Sequence, residues 1–407
     1  MKPVEPIAEQ SGAGSFPFRV RLPGGSERMR FNRFEWAGAF GDLGTLIPFV
    51  VGYISVVGMD PAGVLLGFGI ALLVSGLYYG TPFPVQPMKA IGAVATAQTA
   101  NAVITPVTVG AAGLVTGVVW LLLGMTGFAK RLQTWVSDSV GSGVVIGLAL
   151  SLIAIGARMI SDGWMLGIVT LGITAALLYK TRVPVMLLLL LFSAVVAMIQ
   201  DPKLAHDLAA IRPRFHLTST SLFALSWSEL LTATLLLAIP QLPLTLGNAV
   251  VATARENNRL FPDRAVSESR LMVSTGVMNL GSTLVGGVPM CHGAGGMAGH
   301  VRFGARTGGA PIILGLILLM LACFFSTSIQ TLFRMFPVPI LGVILVLAGS
   351  QLATGPFRTA KRSEPTTQTV IAVTALACFW NVGAGFLVGL LLDHGIRHWR
   401  KRREAAQ

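Results

Sequence analysis

Two stretches decide the fold of this chain: TPFPVQPMKAIGAVATAQ (residues 81–98) and GGVPMCHGAGGMAGH (286–300). Pro87-Met88 and Pro289-Met290 superpose with an offset of 202, and each pair opens a run of Gly and Ala. About 45 residues before each stands an apolar segment interrupted by polar residues, FGDLGTLIPF (40–49) and IPQLPLTLGNA (239–249). Pro-Phe-Pro-Val (82–85) cannot continue a helix, so it is expected to be extended. Proline fits the first position of a helix, where its missing N–H costs nothing. Helices are therefore expected to start near Pro87 and near Pro289. Each has ten to fifteen apolar residues after its proline, which places both starts deep in a membrane.

The rest of the chain supplies that membrane. Of 407 residues 53% are hydrophobic and 12% charged, and the mean hydropathy is +0.72. A soluble domain of this size carries about 25% charged residues. A soluble enzyme, a disordered chain and a disulfide scaffold are excluded. Cys291, Cys323 and Cys378 all lie in apolar stretches without metal-ligand spacing. Apolar stretches near the ~20 residues that cross a bilayer recur at 35–57, 62–80, 84–101, 104–128, 136–160, 163–179 and 182–199. A polar loop follows, and a second set runs at 228–251, 268–285, 287–301, 309–333, 336–354, 366–380 and 382–398. The expected fold class is an all-α polytopic membrane protein with 14 transmembrane segments.

The net charge of +13 sorts by side. With the N-terminus inside, the cytosolic face holds Lys2, Arg19, Arg21, Arg28, Arg30, Arg33, Lys130, Arg131, Lys180, Arg182, Arg255, Arg259, Arg264 and Arg270. It also holds Arg302, Arg306, Arg358, Lys361, Arg362, Arg397, Arg400, Lys401, Arg402 and Arg403, making 24 of the 30 basic residues. Membrane orientation explains this bias without nucleic acid as a partner. Both termini are expected in the cytosol. The basic first residues lack the apolar core of a signal peptide, and the absence of a targeting extension favours a bacterial inner membrane. The expected divisions are a tail at 1–34, a first repeat at 35–200, an extracytoplasmic loop at 201–227, a second repeat at 228–399 and a tail at 400–407. Because seven is odd, the second repeat enters from the opposite side, an inverted repeat.

Inverted symmetry points the two helix N-termini, at segments 3 and 10, toward each other. Each brings unpaired amides, expected at Met88 to Ala90 and Met290 to His292, and about half a positive charge. Lys89 adds a full charge, giving roughly +2, a match for a dianion. The glycines that follow leave room for close backbone approach.

Each residue also has a plainer reading. Lys89 either binds an anion or snorkels to an interface. Gln86 donates to an oxyanion or caps its own helix. His292 complements Lys89 or packs as a core histidine, and Cys291 offers its amide or is a bystander. Asp42 couples protons, pairs with Lys89 or caps a helix break. Thr45, Gln241 and Asn248 line the crossing point or bond between helices. GAGGMA (293–298) lacks the strand–helix–strand setting of a dinucleotide loop. Gly295 and Gly299 read as tight helix packing, and Arg302 and Arg306 as the cytosolic end of segment 10.

PVQPMKAIGAVA, VPMCHGAGGMAGHVRFGARTGGA and EWAGAFGDLGTLIPF resemble the signature segments of the molybdate transporter family, relatives of the sulfate permeases, over most of residues 31–400. The resemblance implies two inverted seven-segment repeats. It implies a core domain from segments 1–4 and 8–11 and a gate domain from segments 5–7 and 12–14. It further implies a tetrahedral oxyanion, molybdate first with sulfate or tungstate as alternatives, held between segments 3 and 10. The substrate-binding residues so implied are Thr45, Gln86, Met88, Lys89, Gln241, Cys291, His292 and Gly293. Sulfate permeases and nucleobase symporters typically carry an acid mid-way along segment 8. Here Gln241 stands there, with Glu229 at the segment's start.

The expected function is import of molybdate by alternating access. Moving an anion against an inside-negative potential costs about 2.3 kcal/mol per charge per 100 mV, so a cation must accompany it. Protons through Asp42 or His292 are expected, with sodium as the alternative. A sulfate or general oxyanion transporter and a passive anion channel are the competing readings. An intramembrane enzyme using His292, His300 and Asp42 finds no motif support, and neither an ATP-binding loop nor any cofactor motif is present. A homodimer is left as an option.

Overall fold

The structure, a computed structural model, describes residues 29–98, 104–127, 137–180, 185–216, 218, 225–380 and 382–405. Most of the expected N-terminal tail, with Lys130, Arg131 and Arg182 of the charge pattern and the last two residues, lies outside the described residues.

The helices begin where local chemistry tells them to. α1 (Arg33–Ser55) is opened by Asn32, whose side chain accepts from the amides of Phe34 and Glu35. α2 (Pro61–Tyr79) starts at a proline behind the Asp60 cap and stops at Gly80, whose φ of 65° suits glycine. β1 (Gln86–Pro87) and α3 (Lys89–Gln98) follow. α4 (Pro106–Thr126) opens on a Thr105–Thr108 capping box. Next come α5 (Asp138–Ser161), α6 (Trp164–Lys180) and α7 (Val185–Gln200). A short helix, Lys203–Ala209, folds back at 115° to Leu188–Gln200. α8 (Trp227–Leu260) begins on a Ser226–Glu229 capping box. Then come α9 (Glu268–Leu284), β2 (Met290–Cys291), α10 (Ala294–Arg302) and α11 (Gly309–Phe333). α12 (Val338–Arg362), α13 (Pro365–Trp380) and α14 (Val382–Ala405) complete the described chain.

Among the described residues seven helices are long and apolar enough to cross a ~30 Å core: α1, α2, α4, α5, α8, α11 and α12. The bent pair after α6 adds an eighth if it is one span. This is a mostly helical polytopic membrane protein. Several lengths differ from the hydropathy reading. Within the described residues α3 covers ten residues and α10 nine, and each starts late because the extended backbone before it uses up part of the apolar stretch. α8 runs nine residues past 251, since the polar end TARENNRL keeps its helical hydrogen bonds and buries Ala254 and Asn257. α12 likewise continues to Arg362.

The chain is turned inside out relative to a soluble protein. Trp380, Leu391 and Ile199 are each more than 70% exposed, as a lipid-facing surface requires. Buried instead are Glu35, Asp42, Gln86, Lys89, Gln241, Asn257, Asn279, His292 and His300. α2 packs along α11, α4 along α9, and α5 along α12, with α13 against α5 and α14. Glycine permits the closest of these approaches. A Cβ on either Gly156 or Gly342 would fall 2.6 Å from the other's carbonyl oxygen.

α1 and α8 are both irregular. α1 tightens into a 3₁₀ turn at Phe40–Asp42 and carries Pro48 inside. α8 widens into π-helical turns at Ala233–Ala238 and Thr245–Ala252, on either side of Pro240 and Pro243. A proline removes a helical N–H and crowds the preceding turn, and a π turn absorbs that mismatch. The breaks bring Asp42, Gln241 and Thr245 to the two short helices.

Candidate functional site

The two extended arms meet. Gln86 pairs with Cys291 and Pro87 with Met290 in an antiparallel bridge, and the Met88 amide donates to Pro289 O at 3.0 Å. Each arm has the same order: a helix ending near a left-handed glycine (Gly80, φ 65°; Gly286, φ 69°), then extended backbone, the bridge and a short helix.

The prolines do not sit where their helix preference placed them. Pro87 lies in β1 and α3 starts two residues later; Pro289 precedes β2 and α10 starts at Ala294. Bridge formation fixes these residues as extended, so the helices can begin only beyond it. The amides expected to be free are largely taken. Met88 N is held by Pro289, Ala90 N donates to Gln241 Oε1 at 2.8 Å, and Met290 N donates to Asn279 Oδ1 at 2.7 Å. A buried amide without water finds a protein partner.

On the first arm the polar side chains form one chain. Lys89 Nζ donates to Gln86 Oε1 at 2.9 Å, and Gln86 Nε2 donates to Asp42 Oδ1. Thr45 lies in hydrogen-bonding reach of Asp42. Gln86 thus stands between the two charges, whose direct pairing was one of the readings of Asp42. Gln241 closes the far side, accepting from Ala90 and donating to Thr245 Oγ1 at 2.9 Å. Lys89 and Asp42 lie within electrostatic range of each other, with the Cys291 thiol beside them. All except the half-buried Thr45 are buried.

The second arm contributes backbone and space. The Gly293 α-carbon lies against Gln86, and an added Cβ would run into Gln86 Oε1. A Cβ on Gly296 would sit 2.6 Å from Asp42 Oδ2 and 2.7 Å from Gln86 Nε2. α10 begins at Gly293 without a side-chain cap, and nothing crowds Gly295. The side chain of His292 is committed elsewhere. Its Nδ1 faces Pro84 O at 2.8 Å, its Nε2 faces Ser274 Oγ at 2.8 Å, and Phe83 and Tyr79 stand edge-on to its ring. Asn248 is half-buried, and its amide lies 3.8 Å from the Cβ position of Gly293.

Several supporting residues were invisible in sequence. Asn279 both accepts from Met290 N and donates to Met290 O, clamping β2 from α9. Glu35 receives the amides of Arg306, Thr307 and Ala310, tying α1 to the start of α11. Thr81 donates to Asn257 at 2.9 Å, anchoring the first arm to α8. Their partners lie up to 275 residues away, where no local pattern reaches. Glu229, the acid at the start of α8, accepts from Thr105 and Ser226 in the cap.

A family model described as "Molybdate transporter of MFS superfamily" matches residues 34–152 and 233–352, more than half of the chain. The chain belongs to the molybdate transporter family. Among curated members, Molybdate transporter 2 of Arabidopsis thaliana is 30% identical over 88% of this chain and 87% of its own length. Molybdate transporter 1 of the same plant is 29% identical over 94% and 93%. Among solved structures, the transmembrane domain of the cyanobacterial bicarbonate transporter BicA matches with a TM-score of 0.62 at 15% identity, covering 88% of this chain and 96% of that one. SLC26A9 matches at 0.65 and 13%, covering 90% and 65%. This family member therefore has the SLC26-like fold, whatever superfamily its family description carries.

Proposed function

We propose that this member of the family is a secondary active transporter that imports molybdate by alternating access, with the anion held where the two arms meet. The observation that carries the reading is the buried chain Lys89–Gln86–Asp42 lying against the glycine backbone of the second arm. A lysine inside an apolar protein is costly and is retained for function. When the anion arrives, Lys89 turns from Gln86 to the anion oxygens. Gln86 and the backbone at Met88, Cys291 and Gly293 frame it, and Thr45 and Gln241 border it. Which oxyanion fits is read from family membership, since the named relatives are molybdate transporters.

In this reading α1–α14 are fourteen segments in two inverted repeats. The matching order of the two arms supports it, as does the packing: α2 on α11 has its counterpart in α9 on α4. The two stretches matched by the family model begin 199 residues apart. α1–α4 and α8–α11 form the core that carries the anion, and α5–α7 with α12–α14 form the gate it moves against. The charge bias supports cytosolic termini.

Asp42 is the coupling group of choice, because the ring of His292 is already engaged at both nitrogens. A proton on Asp42 removes its negative charge beside the site and leaves Lys89 to face the dianion. The experiment is molybdate uptake into proteoliposomes with imposed pH and sodium gradients and sulfate as competitor. An inward proton gradient is expected to drive accumulation beyond equilibrium. Uptake that merely equilibrates, indifferent to both gradients, would indicate a passive conduit. Suppression by excess sulfate would indicate a sulfate or general oxyanion carrier.

A further inference from the structure

Tyr53 is fully buried, and its hydroxyl has no hydrogen-bond partner among the described residues. Buried polar groups are almost always paired, because leaving a donor unmade forfeits its hydration without return. A phenylalanine would fill the same volume without that cost, so the hydroxyl needs an explanation. Its place supplies one, among the described residues. A Cβ on Gly92 would lie 3.1 Å from Tyr53 Oη, and Gly92 is three residues after Lys89 on α3. Residues three apart share a helix face, so the hydroxyl stands on the face that carries Lys89.

The α1 side agrees. Asp42, Thr45, Phe49 and Tyr53 follow one another at intervals of three and four, a single stripe along the helix. Asp42 and Thr45 meet the first arm at one end of that stripe, and Phe49 and Tyr53 pack against Gly92 at the other. The stripe places an acid, a hydroxyl, an aromatic wall and a phenol beside one short helix.

Resting on the site reading above, we infer that Tyr53 is a further anion-binding residue, whose phenolic hydroxyl donates to an oxygen of the bound oxyanion. A tetrahedral dianion is an acceptor on every oxygen, and an O–H donor to a charged oxygen makes one of the shorter and stronger hydrogen bonds. No described side chain or backbone group accepts from this donor. With the anion bound, the orphan is satisfied and part of the lost hydration shell is replaced. Lys89 supplies charge from α3 and Tyr53 a directed neutral donor from α1.

The test is Tyr53→Phe in proteoliposomes beside Lys89→Ala. Tyr53→Phe is expected to raise the KM for molybdate about tenfold or more, the loss of one bond to a charged acceptor. Its maximal rate should stay within about twofold of the parent. The melting temperature of the variant without molybdate should equal or exceed the parent's, while the rise caused by added molybdate shrinks. A purely structural tyrosine would give the reverse pattern. As a second measurement in an otherwise unaltered chain, fluorotyrosine at position 53 should show a fluorine NMR shift on adding molybdate and none with chloride. Unchanged KM and no fluorine shift, with Lys89→Ala inactive, would overturn the role of Tyr53 and leave the site standing. Normal transport by Lys89→Ala would remove the site itself, and this inference with it.

Discussion

The two arms share a backbone plan and divide the chemistry. On the first, Lys89 and Gln86 present side chains that reach one another and Asp42. On the second, the polar side chains are spent on architecture: His292 on Pro84 and Ser274, with Ser282 donating to Val288 O at 2.9 Å. Asn279, from α9, clamps β2 at both Met290 groups. What the second arm offers the site is missing side chains, at Gly293 and Gly296. One backbone order thus carries different side chains on its two arms. Charge on both arms would have put two buried cations face to face, each needing compensation.

If the division is real, substitutions on the first arm should cost uptake and spare stability, and those on the second should do the opposite. The largest effect is expected for Lys89→Ala: uptake falls to background, at least about a hundredfold, matching ~3 kcal/mol for charged hydrogen bonds removed. Its melting temperature should move far less than its uptake, because the burial cost of the cation goes with it and offsets the Gln86 acceptor and Asp42 carboxylate left behind. Measuring uptake and melting on the same purified sample checks both halves. A variant that unfolds instead would make Lys89 architectural and erase the contrast between the arms.

Next in size are the glycines, where the second arm touches the first arm's chemistry. Gly296→Ala places a methyl group against Asp42 Oδ2 and Gln86 Nε2, so the carboxylate–amide bond must shift. Uptake should drop about ten- to a hundredfold, since an ångström of misplacement at a binding site costs on that order. Gly293→Ala, pressing on Gln86 Oε1, should act similarly. Activity retained in both would show that the second arm is not in close contact during transport.

Asn279→Ala and His292→Ala probe the architectural half. Each removes a side chain that satisfies two groups within the fold, and each should destabilise by about 2–4 kcal/mol. Chemical denaturation in detergent reads this directly. Transport per folded molecule should fall much less than in Lys89→Ala. If His292→Ala loses uptake with stability intact, the histidine belongs with Lys89 and the division fails.

How much of this was legible beforehand follows from the range of each signal. The spacing of Pro82, Pro84 and Pro87 announces extended backbone wherever it occurs, and Pro289-Met290 repeated it. Hydropathy and charge bias exposed the membrane class, because lipid acts on every residue alike. The helix starts slipped by two to five residues, since a proline satisfies a bridge as well as a first turn. Supposedly free amides at Met88, Ala90 and Met290 were claimed by Pro289, Gln241 and Asn279. Those pairings arise from how the elements stack, and periodicity along one helix carries no trace of them. The Asp42–Tyr53 stripe was written in the sequence, but choosing which face of α1 mattered required α3 beside it.

The smallest effect serves as a control lying on neither arm. Arg334, just beyond α11, donates to Asp207 at 2.7 Å and also meets Asp201 at the bend after α7. All three side chains are more than 40% exposed, so water and salt screen the cluster. The Arg334 guanidinium nevertheless holds the Asp201 carboxyl below the usual carboxylate range, chiefly by hydrogen bonding. A carboxyl lowered in the folded state contributes stability that is present above its ordinary pKa of about 4 and is lost as pH falls through the depressed value. Arg334→Gln should therefore lower the melting temperature slightly at neutral pH and low salt. The difference from the parent should fade below about pH 4 and at 1 M salt. Uptake should be untouched at every pH where the protein is folded. A loss of uptake without loss of stability would mean that the bend itself moves during transport, which would extend the functional contrast beyond the two arms.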